Sequence, residues 1–129
     1  MKKITSYKDL IIWQKAMEAT CLLYNVAKKL PKEETFALGS QMRRAAVSIP
    51  SNIAEGYGRQ SNKEHLHFLT ISRGSIYELE TQLLLCLKLG YLKIEDILPL
   101  SNLLKELGRM STSMINNQNK SLQVITNPN

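Results

Sequence analysis

The stretch RRAAVSIPSNIAEGYGR, from Arg43 to Arg59, decides how this chain is read. Leu38, Met42, Ala45, Ala46, Ile49 and Ile53 recur at the spacing of one helical face. Pro50 interrupts that face. Inside a helix, proline removes an amide donor and clashes with the preceding turn, at a cost of roughly 3 kcal/mol or more. Two arrangements accommodate it: a kinked helix, or a helix that stops near Val47 and restarts with Pro50 in its first turn, where proline is tolerated. In both, the carbonyls around Ala46 lose a partner, and Ser48, Ser51 and Asn52 stand near enough in sequence to replace it.

Outward from this segment the chain divides into four helices. Ser6 and Asp9 resemble a capping box that starts a first helix running to about Leu30, where Pro31 ends it. The second runs from about Thr35 to Glu55 and is closed by Gly56 and Gly58. Ser61 and Glu64 form an S-x-x-E box for a third, which stops at Gly90. The fourth starts near Ile94, where Glu95 and Asp96 complement the positive helix end. Pro99 makes that start ragged, and the helix ends around Asn116. Residues 1–116 are thus one domain, and the polar tail 117–129 is expected to be disordered. Strand alternation persists nowhere. Short connections between long helices give an all-α, antiparallel up-down four-helix bundle.

Each helix carries an apolar stripe. In the first it is Trp13, Ala16, Met17, Thr20, Leu23, Tyr24 and Ala27. In the third it is Leu66, Leu69, Ile76, Leu79, Leu83 and Leu87, and in the fourth Ile97, Leu100, Leu104, Leu107 and Met114. Apolar residues also lie behind these stripes: Ile11, Ile12, Leu22 and Val26 on the first helix, and Ile71, Tyr77, Leu84 and Leu85 on the third. The back of a helix in a monomer should be polar. The excess predicts a homo-oligomer that buries a second face.

With 129 residues, the chain can bury a modest core. Its longest apolar run, Leu83 to Leu87, falls far short of the ~20 residues of a membrane span. MKKIT lacks the apolar segment of a signal peptide, so the cytoplasm is the expected compartment. Cys21 and Cys86 have no motif spacing and read as two reduced thiols. A formal net charge of +6 and a pI near 9.4 favour a polyanionic partner.

Four cations are placed to serve such a partner. Arg44 lies nearly opposite the apolar stripe of the second helix and Arg43 on its flank. Arg59 and Lys63 flank the glycine turn and the next helix N-terminus, whose free amides favour anions. Together Arg43, Arg44, Arg59 and Lys63 would form a phosphate-binding patch. The competing use is intersubunit pairing with Glu55, Glu78 or Glu80, which suits Arg43 best. Arg73 and Glu80 fall within the stripe of the third helix, two turns and about 10 Å apart. Each needs a partner on another helix or subunit, with Glu55 and Arg43 as candidates. A polar network of Ser48, Asn52, Glu55, Arg73 and Glu80 would then set register more than stability. Gly74, beside Arg73, would let another helix approach closely.

Nothing here specifies an enzyme or a cofactor. His65 and His67 project some 200° apart and cannot share a metal. GYGRQS lacks the spacing and the strand of a dinucleotide loop. Trp13 and Tyr24 lie in the core stripe and are better read as packing than as base-stacking platforms.

YKDLIIWQKA (Tyr7 to Ala16), SQMRRAAVSIPSNIAEGYGR (Ser40 to Arg59), FLTISRGSIYELETQL (Phe68 to Leu83) and LGYL (Leu89 to Leu92) resemble the four-helix-bundle family encoded in intervening sequences of bacterial 23S ribosomal RNA genes. The resemblance covers most of residues 6 to 115. It implies assembly as a ring-like homopentamer. Similar bundles serve as accessory factors of diversity-generating reverse transcription, contacting nucleic acid and the polymerase. The expected function is therefore non-enzymatic binding of structured nucleic acid, RNA foremost, through a basic surface. A protein-interaction scaffold without nucleic-acid binding is the alternative.

Overall fold

The computed structural model describes residues 3–126, with side chains described for residues 3–117. Four α-helices occupy most of this length: α1 Ile11–Ala27, α2 Leu38–Tyr57, α3 Asn62–Lys88 and α4 Ile94–Thr126. Among the described residues there is no strand, and the all-α class holds.

The start of the first helix differs from the expected one. Ser6 and Asp9 do form a capping box, but it closes only a 3-10 turn at Tyr7–Asp9. Leu10 is then extended, and α1 begins at Ile11. The Tyr7 ring meets Trp13 edge-on at 5.3 Å, folding the entry turn back onto the helix. The second helix also starts later than Thr35, after a 3-10 turn at Lys32–Glu34. Ala37 offers no side-chain cap there, and the Glu34 carboxylate accepts the Leu38 amide at 3.3 Å instead.

Of the two accommodations for Pro50, α2 adopts continuity: it runs through the proline to Tyr57. The carbonyl that would have received the Pro50 amide belongs to Ala46, which is fully buried. Its partner comes from another helix. Thr20 on α1 points its hydroxyl at Ala46 O (3.1 Å) while also bonding Ala16 O (2.8 Å), a three-centre arrangement of one proton. Ser48, Ser51 and Asn52 do not perform the expected repair. Asn52 Nδ2 donates to Ser48 O (2.8 Å) and Ser48 Oγ (2.9 Å), and Ser48 Oγ meets Ser75 Oγ at 2.8 Å. The next carbonyl on the core side, Ile49 O, takes the buried Ser72 hydroxyl at 3.0 Å.

Gly56 does not stop α2. It is buried within the helix, and a Cβ there would lie 2.9 Å from Phe68 Cβ. Its role is close approach to α3, and Gly58 provides the C-cap. Gly90 does terminate α3, at φ 75°, with Tyr91 N–H on Cys86 O (2.9 Å) and Gly90 N–H on Leu87 O (3.1 Å), a Schellman pair. At the next start, Asp96 Oδ2 accepts the Lys93 amide at 2.9 Å and Pro99 is absorbed within α4. That helix continues to Thr126, past the expected end at Asn116 and across the expected domain limit. Of the tail expected from residue 117, residues 127–129 lie outside the described ones.

α2 packs against α1 and α3, and α4 completes the circuit against α3 and α1. Met42 meets Cys86, Ser48 meets Ser75 and Gly56 meets Phe68, so numbers rise on α2 as they fall on α3. The core stripe of α1 is turned from the expected one: Ile12, Ala19 and Val26 point inward with Ala16 and Leu23. Met17 and Tyr24, each 42% accessible, point outward. Close helix contact favours small residues, and two alanines at the α1 contact outweigh the larger Met and Tyr. Among the described residues, no helix is long and apolar enough to cross a membrane.

Four expectations follow. Thr20→Val should cost about 1–3 kcal/mol in denaturant unfolding, because a buried carbonyl is left bare. Pro50→Ala in that background should recover part of the loss, giving a non-additive double-mutant cycle. Gly56→Ala should destabilise by about 1–3 kcal/mol through overpacking against Phe68. Asp96 is held below the usual carboxylate range, first by the Lys93 amide and then by Lys29. A depressed folded-state value stabilises above the unfolded value of about 4 and is lost as pH falls through the folded one. Asp96→Asn should therefore lower Tm at neutral pH, and its gap from the parent should shrink in acid.

Candidate nucleic-acid interface

The four candidate cations do not form one patch. Arg43 is half-buried and committed: its Nη2 donates to Thr35 O at 2.9 Å, tying the α1–α2 connection to α2. Among the described residues it makes no ion pair with Glu80. Arg44 is exposed and sits with Gln41, Ser48, Ser75 and Glu78 around a shallow cleft between α2 and α3. Arg59 lies past the end of α2, whose rise from Arg44 to Tyr57 is about 20 Å. Its guanidinium rests over the Phe68 ring at 4.7 Å and reaches Glu55 Oε1 at 3.8 Å. Such an exposed pair contributes at most about 1 kcal/mol, so Arg59 stays available for an anion. Lys63, exposed in the first turn of α3, is one short connection from Arg59. The arrangement is therefore Arg44 alone, with Arg59 and Lys63 together at one end of α2.

The expected polar network divides as well. Ser48 and Asn52 belong to one cluster with Ser75, at the α2–α3 contact. Glu55 pairs with Arg59 on the surface and takes no part in it. Arg73 faces α4, where Nη1 reaches Thr112 Oγ1 at 3.4 Å, so within the chain its partner is neither Glu55 nor Arg43. Glu80 is also turned towards α4, where it lines an open groove of about 670 Å³ with Tyr77, Lys105 and Arg109. Within the chain, Gly74 admits no helix: a Cβ there would meet nothing within 4 Å.

The histidines diverge as their spacing requires. His65 packs beside Gly56, and burial holds its imidazole below the usual value. His67 is exposed with its ring against Phe68. Among the described residues, no three His, Cys, Asp or Glu side chains gather as metal ligands. Cys21 is an exposed free thiol, and Cys86 a buried one whose Sγ lies 3.8 Å from Met42 Sδ. Burial pushes the Cys86 thiol up, and the Glu34 carboxylate adds to the effect.

Glu34 and Tyr91 organise one end of the fold without a local signal. The Tyr91 hydroxyl donates to Glu34 Oε2 at 2.9 Å, which raises its pKa and joins the α1–α2 connection to the α3–α4 connection. Lys29 Nζ reaches Asp96 Oδ1 across the same end at 2.9 Å. Helical phase alone placed Arg44 on the outside; the partners of Arg43 and Arg59 lie in the adjoining turn and helices, and that of Arg73 on α4.

Comparison with other proteins places this geometry. No curated protein matches the chain. A crystal structure of a protein of unknown function, described as from the S23 ribosomal protein family of Bacteroides thetaiotaomicron VPI-5482, is similar at a TM-score of 0.76 and 25% identity. The match covers 81% of this chain and 98% of that one. The family model of the 23S rRNA-intervening sequence protein matches residues 8–113, a span that takes in α1 to α3, the first part of α4, the Pro50 segment and every candidate cation. The chain belongs to the 23S rRNA-intervening sequence protein family.

Proposed function

We propose that this protein is a non-enzymatic, cytoplasmic, antiparallel up-down four-helix bundle that assembles as a ring-like homo-oligomer, a pentamer by family resemblance, and binds structured RNA. The observation that carries the reading is the pair Arg44 and Lys63: both are exposed, and neither takes part in an ion pair among the described residues. Arg59 adds a third charge beside Lys63. The mechanism is phosphate neutralisation with little base readout, multiplied by copies in the ring. The family's association with ribosomal RNA genes supports RNA over other polyanions. The oligomer rests on Ile71, Leu84 and Leu85, which α3 turns away from its own core; Leu84 is 58% and Leu85 45% accessible.

A second reading has its own support. Where Tyr91 joins Glu34, the fold exposes Phe36, Leu89, Ile94 and Leu98 at one end. An apolar end of this kind suits a protein partner, with the surplus lysines serving solubility.

Salt separates the two. Titration of a labelled structured RNA should give a log K against log salt slope of at least about −2, and Arg44→Ala with Lys63→Ala should flatten it by about 1 to 2. Absence of binding at low salt would sink the RNA reading and turn attention to the apolar end. Light-scattering mass should exceed one chain, and Leu84→Lys with Leu85→Lys should reduce it.

A further inference from the structure

We propose that the groove between α3 and α4 binds a nucleoside monophosphate. It lies apart from the α2–α3 side that presents Arg44. Its volume, about 670 Å³, is within the usual range for small-molecule sites.

The groove has two chemically different ends. On α4, Lys105 and Arg109 are one turn apart and share a face. Like charges at this spacing repel, and a bound dianion removes that penalty while taking paired N–H donors from the guanidinium. The Ser113 and Thr112 hydroxyls lie one turn further along the same wall and extend the donor set. On α3, Tyr77 and Glu80 are three residues apart and form the opposite wall. Tyr77, on the apolar back of α3, leans towards Gly108 of α4 and is 49% accessible, so its ring gives a flat face on which a base can stack. The Glu80 carboxylate accepts N–H groups from the edge of that base, which favours guanine, with its adjacent ring and amino donors, over bases with fewer.

Two observations separate this groove from ordinary surface. First, its charges are not used internally. Lys15–Glu106, Lys29–Asp96 and Arg59–Glu55 are the ion pairs among the described residues, and Lys105, Arg109 and Glu80 belong to none of them. Glu106, next to Lys105 in sequence, is turned to the other flank of α4 and held by Lys15 at 2.9 Å. The opposite charges of the groove thus face each other across a gap. Second, the floor is shaped by Gly108 and the buried Leu104. A Cβ at Gly108 would stand 3.9 Å from Tyr77 Cε1, so a longer side chain would fill the space beside the ring.

Calorimetric titration of the full chain with GMP, guanosine and inorganic phosphate tests the assignment. Saturable GMP binding at one site per chain is expected, about tenfold or more tighter than guanosine or phosphate alone. Arg109→Ala and Tyr77→Ala should each weaken it about tenfold, and Lys93→Ala, remote from the groove, should leave it unchanged. Helical circular dichroism establishes that each variant is folded, and Arg109→Gln and Tyr77→Phe provide milder replacements. Tyr77→Phe retains the ring and should bind as the parent does. The assignment is overturned by lack of saturable GMP binding, by binding indifferent to Arg109→Ala or Tyr77→Ala, or by phosphate binding as tightly as GMP.

Discussion

The bond from Thr20 to the Ala46 carbonyl is the constraint on which the rest of the fold depends. A proline within a helix of this length leaves one carbonyl without its amide, and here that carbonyl is in the core. The donor is supplied by α1, so α2 can continue only where α1 lies against it in one register. Continuity in turn keeps Arg43 and Arg44 on the same rod as Glu55. Ser72 does for Ile49 O what Thr20 does for Ala46 O, from the opposite side. The proline segment is therefore held by hydroxyls from both neighbours, which makes it a locating feature as much as a defect.

Outside α1 the helix faces were legible in the sequence, and so were those helix ends that local bonds set. Ser61 and Gly90 act through bonds to residues within a few positions, and a reader of the chain finds all the participants side by side. Gly56 was misread because its reason lies on α3: the same residue type serves as a stop or as a contact, and only the partner's position distinguishes them. The inward face of α1 was misjudged for a related reason. Hydrophobicity weights Met17 and Tyr24 above Ala19, whereas helices in close contact select the smaller residue.

The candidate site follows the same division. The exposure of Arg44 came from helical phase alone, and that of Lys63 from its place in a first turn. The fate of Arg43 depended on a carbonyl eight residues earlier in a turn without periodicity, and that of Arg59 on an aromatic ring in the next helix. Arginine is also well suited to such internal tasks, since its planar fork suits carbonyls and ring faces as well as phosphates. A surplus of positive charge thus overstates the cationic surface, because part of it is consumed in fastening connections.

The two cysteines divide the molecule in a way that is useful at the bench. Cys86 is shut in the core beside Met42, and its proton is held by burial, so little thiolate is present to react. Cys21 stands on the outer face of α1, open to solvent. A maleimide fluorophore or spin label will accordingly find one address on the native chain, with no residue replaced beforehand. That address is on a helix that carries none of the candidate ligand residues, so distances and anisotropies can be read there without disturbing the surfaces they report on.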